Sequence, residues 1–124
     1  MSVYFLCRKV RAVQTAPSPS NPPPTFVTPS WAVGNNAPPS QAFMLLVDGI
    51  GSLSATAQIY VSNDDDQTSA RWAPYGDPIT ATGTALNGAV PMATSAGSQP
   101  WRRFTAIITA ISGTNASADV KMSA

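Results

Sequence analysis

The chain has 124 residues and a formal net charge of +1, and only 10% of its residues are charged. It contains no histidine, a single cysteine and no acidic residue other than aspartate, so the usual general bases, activated nucleophiles and nitrogen or sulfur metal ligands are missing. We therefore expect a protein that is not an enzyme and needs no cofactor. A surface with so few charges tends to associate, which predicts that partners cover much of it.

The N-terminal residues argue against membrane insertion and secretion. The apolar run from Val3 to Cys7 is far shorter than the ~18–20 residues that span a bilayer. The cations that follow it reverse the charge order of a signal peptide. Cys7 has no intrachain partner for a disulfide, and we expect it to be a buried apolar side chain in a protein that folds in a reducing compartment.

The first predicted element is a strand within residues 1–13, a segment rich in valine and aromatic residues. Arg8, Lys9 and Arg11 give it three positive charges, and no acidic residue precedes Asp48. This concentration of positive charge near the N-terminus predicts contact with an acidic protein surface, such as that of an adjacent copy. Nucleic acid is the alternative, but three cations without a longer basic tract make a weak electrostatic footprint. We therefore expect no nucleic-acid binding.

Residues 14–40 form the second predicted segment, an extended proline-rich arm. Eight of the 12 prolines lie in the first 39 residues, and proline removes backbone donors and favours extended geometry. Phe26 and Trp31 occur among the prolines, where a flexible linker would carry glycine and serine. The arm is predicted to dock on another protein. The alternative is that it folds back on its own domain.

Residues 41–124 are predicted to form an all-β domain. Apolar and polar residues alternate with the period of two that is typical of half-buried strands, and turn residues recur roughly every 8–12 positions. This pattern predicts one small β-sandwich or jelly-roll-like domain of about six to eight short strands. The strand at 101–111 should be central and the last strand edge-like. The predicted strands are 42–47, 55–61, 71–73, 79–82, 89–93, 101–111 and 118–122, with a hairpin loop at 112–115.

Two short motifs allow a structural and a functional interpretation. Asp64, Asp65 and Asp66 offer clustered carboxylate oxygens for calcium, but they lack the spacing and the glutamate of a calcium loop, so a solvated turn is expected and no metal site is predicted. The segment 101–104 mixes two arginines with two aromatic rings, a combination that can stack on bases. Because neighbouring strand residues point to opposite faces, the two arginines form no single patch, and we expect a structural role.

The second half of the chain resembles a small β-sandwich module of tailed-bacteriophage virion proteins. In that module a strand ending in Ser-Asn-Asp is followed by a tryptophan, a Thr-Gly-Thr turn and a Pro-Trp-Arg strand that runs into Ile-Ser-Gly-Thr. The resemblance covers about residues 55–122. The corresponding residues here are 58–64, Trp72, 82–84, 100–104 and 109–114.

This resemblance implies a virion structural protein of the capsid cement or decoration type. Such a protein is made in the host cytoplasm and clamps major capsid subunits from the capsid exterior. The implied partners are the major capsid protein and further copies of this chain, with no catalytic residues and no membrane contact. Residues 14–40 lie outside the resemblance. The predicted contact residues are four aromatic anchors and three cations: Tyr4, Phe5, Phe26, Trp31, Arg8, Lys9 and Arg11.

Two other functions are compatible with the same sequence. Related modules occur in tail and fibre assemblies, so a tail, baseplate or fibre-adaptor subunit is the alternative within the structural class. A carbohydrate- or receptor-binding module is the alternative from a different class, in which Trp72, Tyr75 or Trp101 would serve as a stacking platform. The number of copies per particle separates capsid from tail, and glycan binding would identify the third function.

Overall fold

The computed structural model describes residues 3–23, 26–29, 31, 37–64, 70–86 and 89–124. These residues contain six β-strands and no helix, which confirms the prediction of an all-β protein. The strands are β1 (Val3–Val10), β2 (Gln41–Ser62), β3 (Ala73–Pro74), β4 (Ile79–Thr84), β5 (Met92–Gly97) and β6 (Arg103–Ser123).

All six strands belong to one antiparallel sheet built on a long two-stranded ribbon. β2 and β6, with 22 and 21 residues, pair along most of their length. β1 pairs with the other edge of β6, and β5, β4 and β3 pair at successive positions along the other edge of β2.

The ribbon bends so that the sheet folds back on itself. A straight strand of 22 residues would span about 70 Å at ~3.3 Å per residue. Phe104 pairs with Val61 near the end of β2, yet its ring centroid lies 6.2 Å from that of Phe43 near the start of β2. The two ends of β2 therefore face each other. We call β1, β5 and the ribbon residues 41–48 and 117–123 the first half-sheet, and β3, β4 and the ribbon residues 52–62 and 103–112 the second half-sheet.

The bend lies where glycines and register shifts coincide. The pairing of β2 with β6 shifts between Asp48 and Ile50 and again between Ile50 and Ser54. Gly49 and Gly113, in the two strands, have φ angles of 156° and 128°, which residues with a Cβ rarely adopt. Extra residues in one strand of a ladder bend that strand. The ribbon therefore bends in this short region.

The core lies between the two half-sheets. Phe104 is fully buried, and its ring centroid lies 6.0 to 6.2 Å from those of Tyr75, Trp31 and Phe43. β1 contributes Leu6 and Cys7, which are 0% and 1% exposed. The first strand therefore packs into the same core as residues 41–124. The other large buried side chains include Leu45, Val47, Leu53, Ile59, Ile108, Val120 and Met122.

Several predicted strand boundaries were wrong for one physical reason. The strands expected at 42–47 and 55–61 are a single strand, and the loop expected at 112–115 lies inside β6, because glycine bends these strands without ending their pairing. Residues 118–122 consequently lie between β1 and β2 and do not form an edge. A separate difference is that β5 begins later than the strand expected at 89–93. The finer assignment to a sandwich or jelly roll stays a prediction, since the strands form one hydrogen-bonded sheet.

Candidate partner-binding surface

The outward surface of the first half-sheet carries a group of apolar side chains. The alternation that buries Leu45 and Val47 leaves Met44 and Leu46 half-buried on the opposite face of β2. We call this surface the outer face. No segment of the described chain covers it. Its members are Val3, Phe5, Ala42, Met44, Leu46, Asp48, Met92, Thr94, Ala96, Asp119, Lys121 and Ser123.

The strand register places two opposite charges at the centre of the outer face. Met44 pairs with Lys121, and Leu46 pairs with Asp119. Lys121 and Asp119 therefore stand side by side along β6, about 7 Å apart at the spacing of alternate strand residues. The centre of this face combines two apolar side chains with one cation and one anion.

Phe5 extends the outer face onto β1. It pairs with Lys121, and its ring centroid lies 5.3 Å from Lys121 Nζ and 5.1 Å from Arg8 Cζ, distances at which a cation is attracted to an aromatic ring. Lys9 adopts φ 51°, and its backbone amide donates a hydrogen bond to Asp119 Oδ1. Asp119 thus holds the end of β1 in place as well as carrying a charge of the outer face.

One end of the outer face forms an open, mostly apolar groove of about 670 Å³. Val3, Ala42, Met44 and Ala96 line it together with Lys121. Val3 is 63% exposed here, and Met92 further along the face is 58% exposed. An apolar side chain of another protein would be removed from water in this groove, and few polar groups would be covered with it.

The outward surface of the second half-sheet differs from the outer face, because its side chains are buried or carry hydroxyl groups. Gln58, Thr105 and Ile107 are buried there, and the neighbouring positions carry hydroxyl groups, with Oγ1 of Thr56 and Oγ1 of Thr80 3.1 Å apart. Within the described residues, the contiguous exposed apolar surface therefore belongs to the first half-sheet.

The described part of the proline-rich segment lies along its own β6. The Thr28 amide donates to the Phe104 carbonyl at 3.0 Å, and the Phe104 amide donates to Thr28 Oγ1 at 2.9 Å. The Trp31 amide donates to the Arg102 carbonyl at 3.0 Å. These residues follow the β6 edge beside the second half-sheet, which β1 does not reach. This is the alternative placement named for residues 14–40, and docking of the arm on another protein stays a prediction.

The predicted contact residues lie in two environments. Tyr4 and Trp31 are half-buried against the core with ring centroids 5.5 Å apart, so a partner could reach them fully only if they left this packing. The other five lie at least partly at the surface, and binding through them stays a prediction. These are Phe5, Arg8, Lys9, Arg11 and Phe26.

Sequence reasoning missed the centre of the outer face. Residues 42–47 form one apolar run in the sequence, and this run does not by itself separate Met44 and Leu46 from their inward neighbours. The available signal was the period of two across this run, which assigns alternate residues to opposite faces. Lys121 and Asp119 belong to the strand that the sequence predicts to be edge-like, so no neighbouring strand is expected on one side of them.

The motif residues that suggested other chemistry serve the fold. Asp64 Oδ2 accepts a hydrogen bond from the Arg71 amide at 2.7 Å, and Arg103 Nε donates to the Asp64 carbonyl at 3.2 Å. Asp65 and Asp66 lie outside the described residues. Among the residues that the structure describes, no group of three potential metal ligands occurs.

The aromatic residues considered as glycan platforms are half-buried. Tyr75 packs against the rings of Phe43 and Phe104. Its hydroxyl donates to Gln41 Oε1 at 3.1 Å and accepts from the Gln99 amide at 3.0 Å. Tyr75 therefore joins the two half-sheets, and glycan stacking on it or on the half-buried Trp72 and Trp101 stays a prediction.

Cys7 is a buried thiol that links β1 to the second half-sheet. Its Sγ donates to the Ala106 carbonyl at 2.9 Å, and the residue is 1% exposed. Burial, with a smaller contribution from the charge of Asp119, raises the pKa of the Cys7 thiol from 9.0 to about 12. Because the thiolate is the reactive form, this cysteine is a structural residue.

The raised pKa of Cys7 predicts a loss of stability in alkaline solution. Between about pH 9 and about pH 12 the unfolded chain loses the thiol proton and the folded chain keeps it. The free energy of unfolding should therefore fall with rising pH, by up to about 1.4 kcal/mol per pH unit from this group. Urea denaturation at about pH 8 and about pH 10.5 measures the change. Cys7→Ser is the matched control because its hydroxyl keeps a donor and does not ionise, and an equal decline in both proteins would contradict the prediction.

Comparison with known proteins gives no relative for this chain. It matches no protein-family model, no curated protein and no solved structure. In the part of the chain that the structure describes, no helix is long and apolar enough to cross a membrane. Its function is therefore inferred from its own fold and surface together with the motif resemblance described above.

Proposed function

We propose that the chain is a non-enzymatic structural protein of a tailed-bacteriophage virion, of the capsid cement or decoration type. The virion setting rests on the motif resemblance of residues 55–122. The observation that carries the binding role is the outer face, a sheet surface centred on the half-buried Met44 and Leu46 in a chain with only 10% charged residues. Contiguous apolar surfaces of this kind mark sites of protein–protein contact. The partners that we propose are the major capsid protein, bound on the capsid exterior, and further copies of this chain.

The positions of the segments that carry the phage resemblance support this proposal. Ser54 pairs with Thr82 on one side and with Ser112 on the other, so the Thr-Gly-Thr and Ile-Ser-Gly-Thr segments flank β2 at one level. Ser62 pairs with Arg103, which joins the end of the first segment to the Pro-Trp-Arg segment. These motif segments thus lie together in or beside the second half-sheet, and none of them contributes a residue to the outer face.

The outer face suits a protein that stabilises a shell by many identical contacts. Its strands are fixed by pairing and by the core, so little conformational entropy is lost on binding. Met44 and Leu46 provide an apolar centre for one of these contacts, and the cations Arg8, Lys9 and Arg11 of the adjoining segment complement an acidic patch on the major capsid protein. In a capsid each weak contact is repeated, and contacts made by one tethered chain reinforce each other.

The number of copies in purified particles tests the proposal. Quantitative mass spectrometry of gradient-purified virions should give a ratio to the major capsid protein near one, or a simple fraction of it. A ratio of a few per cent would contradict a cement role and assign the chain to the tail, baseplate or fibre. Absence from virions would contradict a structural role of either kind and leave the carbohydrate- or receptor-binding module.

A further inference from the structure

We propose that the outer face binds a second copy of this chain in a two-fold symmetric dimer. This inference rests on the proposed function, in which further copies of the chain are partners. It adds the surface through which two copies bind and the symmetry of their contact. It requires no capsid, so the isolated chain tests it.

The central charges of the outer face are self-complementary. Lys121 and Asp119 point outward from alternate positions of β6. A two-fold axis that crosses the strands between these two positions places Lys121 of each copy opposite Asp119 of the other. A purely acidic partner would meet Asp119, and a purely basic partner would meet Lys121, whereas a second copy satisfies both charges twice.

The same axis matches the apolar side chains. Met44 pairs with Lys121 and Leu46 pairs with Asp119 in the sheet, so the operation that exchanges the charged positions also places Met44 opposite Leu46 of the second copy. Face-to-face sheets pack about 10 Å apart with interdigitating side chains. Met44 and Leu46 are thus positioned to form a continuous layer across the dimer.

The size of the outer face sets the expected affinity. Four strands spaced ~4.8 Å apart and about seven residues long cover roughly 440 Å². Two such faces bury about 900 Å² in total, slightly below the ~1,000 Å² that a stable interface needs. We therefore expect a dimer that dissociates in the micromolar range and that becomes persistent where copies are held close together, as on a particle.

Sedimentation of the full chain at concentrations from about 1 to about 500 μM tests the dimer. We expect a monomer–dimer equilibrium, and Met44→Lys should weaken it at least tenfold, because it buries a charge at the centre of the face. Met92→Lys is a second variant at a position that is already 58% exposed, with a smaller expected effect. Leu86→Lys, 68% exposed and outside the outer face, is the matched control and should leave the equilibrium unchanged. Thermal unfolding verifies that each variant is folded.

A charge-exchange experiment distinguishes this dimer from other modes of self-association. Lys121→Asp and Asp119→Lys should each dimerise more weakly than the parent chain, because each creates like-charge pairs across the axis. A mixture of the two variants should restore association, since both contacts in the mixed dimer are again of opposite charge. The Asp119 variant also loses the hydrogen bond from the Lys9 amide, so its stability is measured separately.

A chain that stays monomeric to about 500 μM would overturn the inference. So would an oligomer that is indifferent to both methionine substitutions, or a mixture of charge variants that associates no better than its components. Association through the free edges of β1 or β5 would give those last two results. None of these outcomes alters the copy number in virions, so the dimer and the cement function fail independently.

Discussion

Replacing Phe104 with alanine is expected to lower the free energy of unfolding by about 3–5 kcal/mol. The side chain is fully buried, and its ring contacts those of Phe43, Tyr75 and Trp31. These rings come from the first half-sheet, from the residue after β3 and from the proline-rich segment. The substitution therefore leaves a cavity where three separate parts of the chain meet, and small domains are stable by only about 5–15 kcal/mol in total. Urea denaturation followed by circular dichroism measures the loss.

Phe26→Ala is the matched control for Phe104→Ala. Phe26 is 37% exposed and lies in the segment that borders β6, so its removal should cost about 1 kcal/mol or less. Equal losses for the two substitutions would contradict the burial of Phe104. Such a result would also remove the main evidence that the two half-sheets pack against each other.

The all-β class was predictable because alternation is a local property of the sequence. Residues 55–61 and 118–122 alternate apolar and polar side chains, and this pattern is incompatible with a helix whatever the rest of the chain does. The locations of the bends were also visible, since glycines stand at 49, 51 and 113.

Whether a glycine ends a strand or bends it was not predictable from local sequence. Gly49 and Gly113 look like turn positions, yet the residues on both sides of each continue to pair with the same partner strand. That outcome depends on contacts between residues about sixty positions apart in the chain, which β-propensity and turn rules do not represent. The same long-range pairing places residues 118–122 in the interior of the sheet, where the sequence predicts an edge.

The sequence does not decide where the proline-rich segment docks, for a similar reason. Aromatic residues among prolines indicate docking on a β-edge or an apolar surface, but they do not specify whose surface it is. β1 covers only part of the β6 edge, and Thr28 and Trp31 follow the remainder. A free edge within the same chain is at a high effective concentration, which favours the intramolecular contact.

The outer face lay in a segment whose two sides are both apolar. Leu45 and Leu46 are equally hydrophobic, so composition does not indicate which of them faces the core. The fold decides between them, because the second half-sheet covers the side of β2 that carries Leu45. An apolar residue on the remaining side, such as Leu46, is then a candidate for contact with another protein.

Replacing Gly49 with alanine is expected to lower the free energy of unfolding by about 2–5 kcal/mol. A Cβ at this position would lie 2.8 Å from the Thr114 carbonyl oxygen and 3.2 Å from Ala116 Cα, which are backbone atoms of β6. It would also lie 2.7 Å from Leu53 Cδ2. The φ angle of 156° adds backbone strain. Because the β6 atoms cannot withdraw without loosening the bend, the cost should appear in thermal and urea unfolding alike.

Gly51→Ala is the matched control, since it lies in the same bend with a φ of 77° but with no atom within 4 Å of its added Cβ. It should cost only the backbone term of about 1–2 kcal/mol. The difference between the two variants therefore combines the contact between β2 and β6 with the extra cost of a φ of 156° over one of 77°. If Gly49→Ala were as mild as Gly51→Ala, the two strands would not approach closely at Gly49. The ribbon could then not bend there tightly enough to bring Phe43 against Phe104.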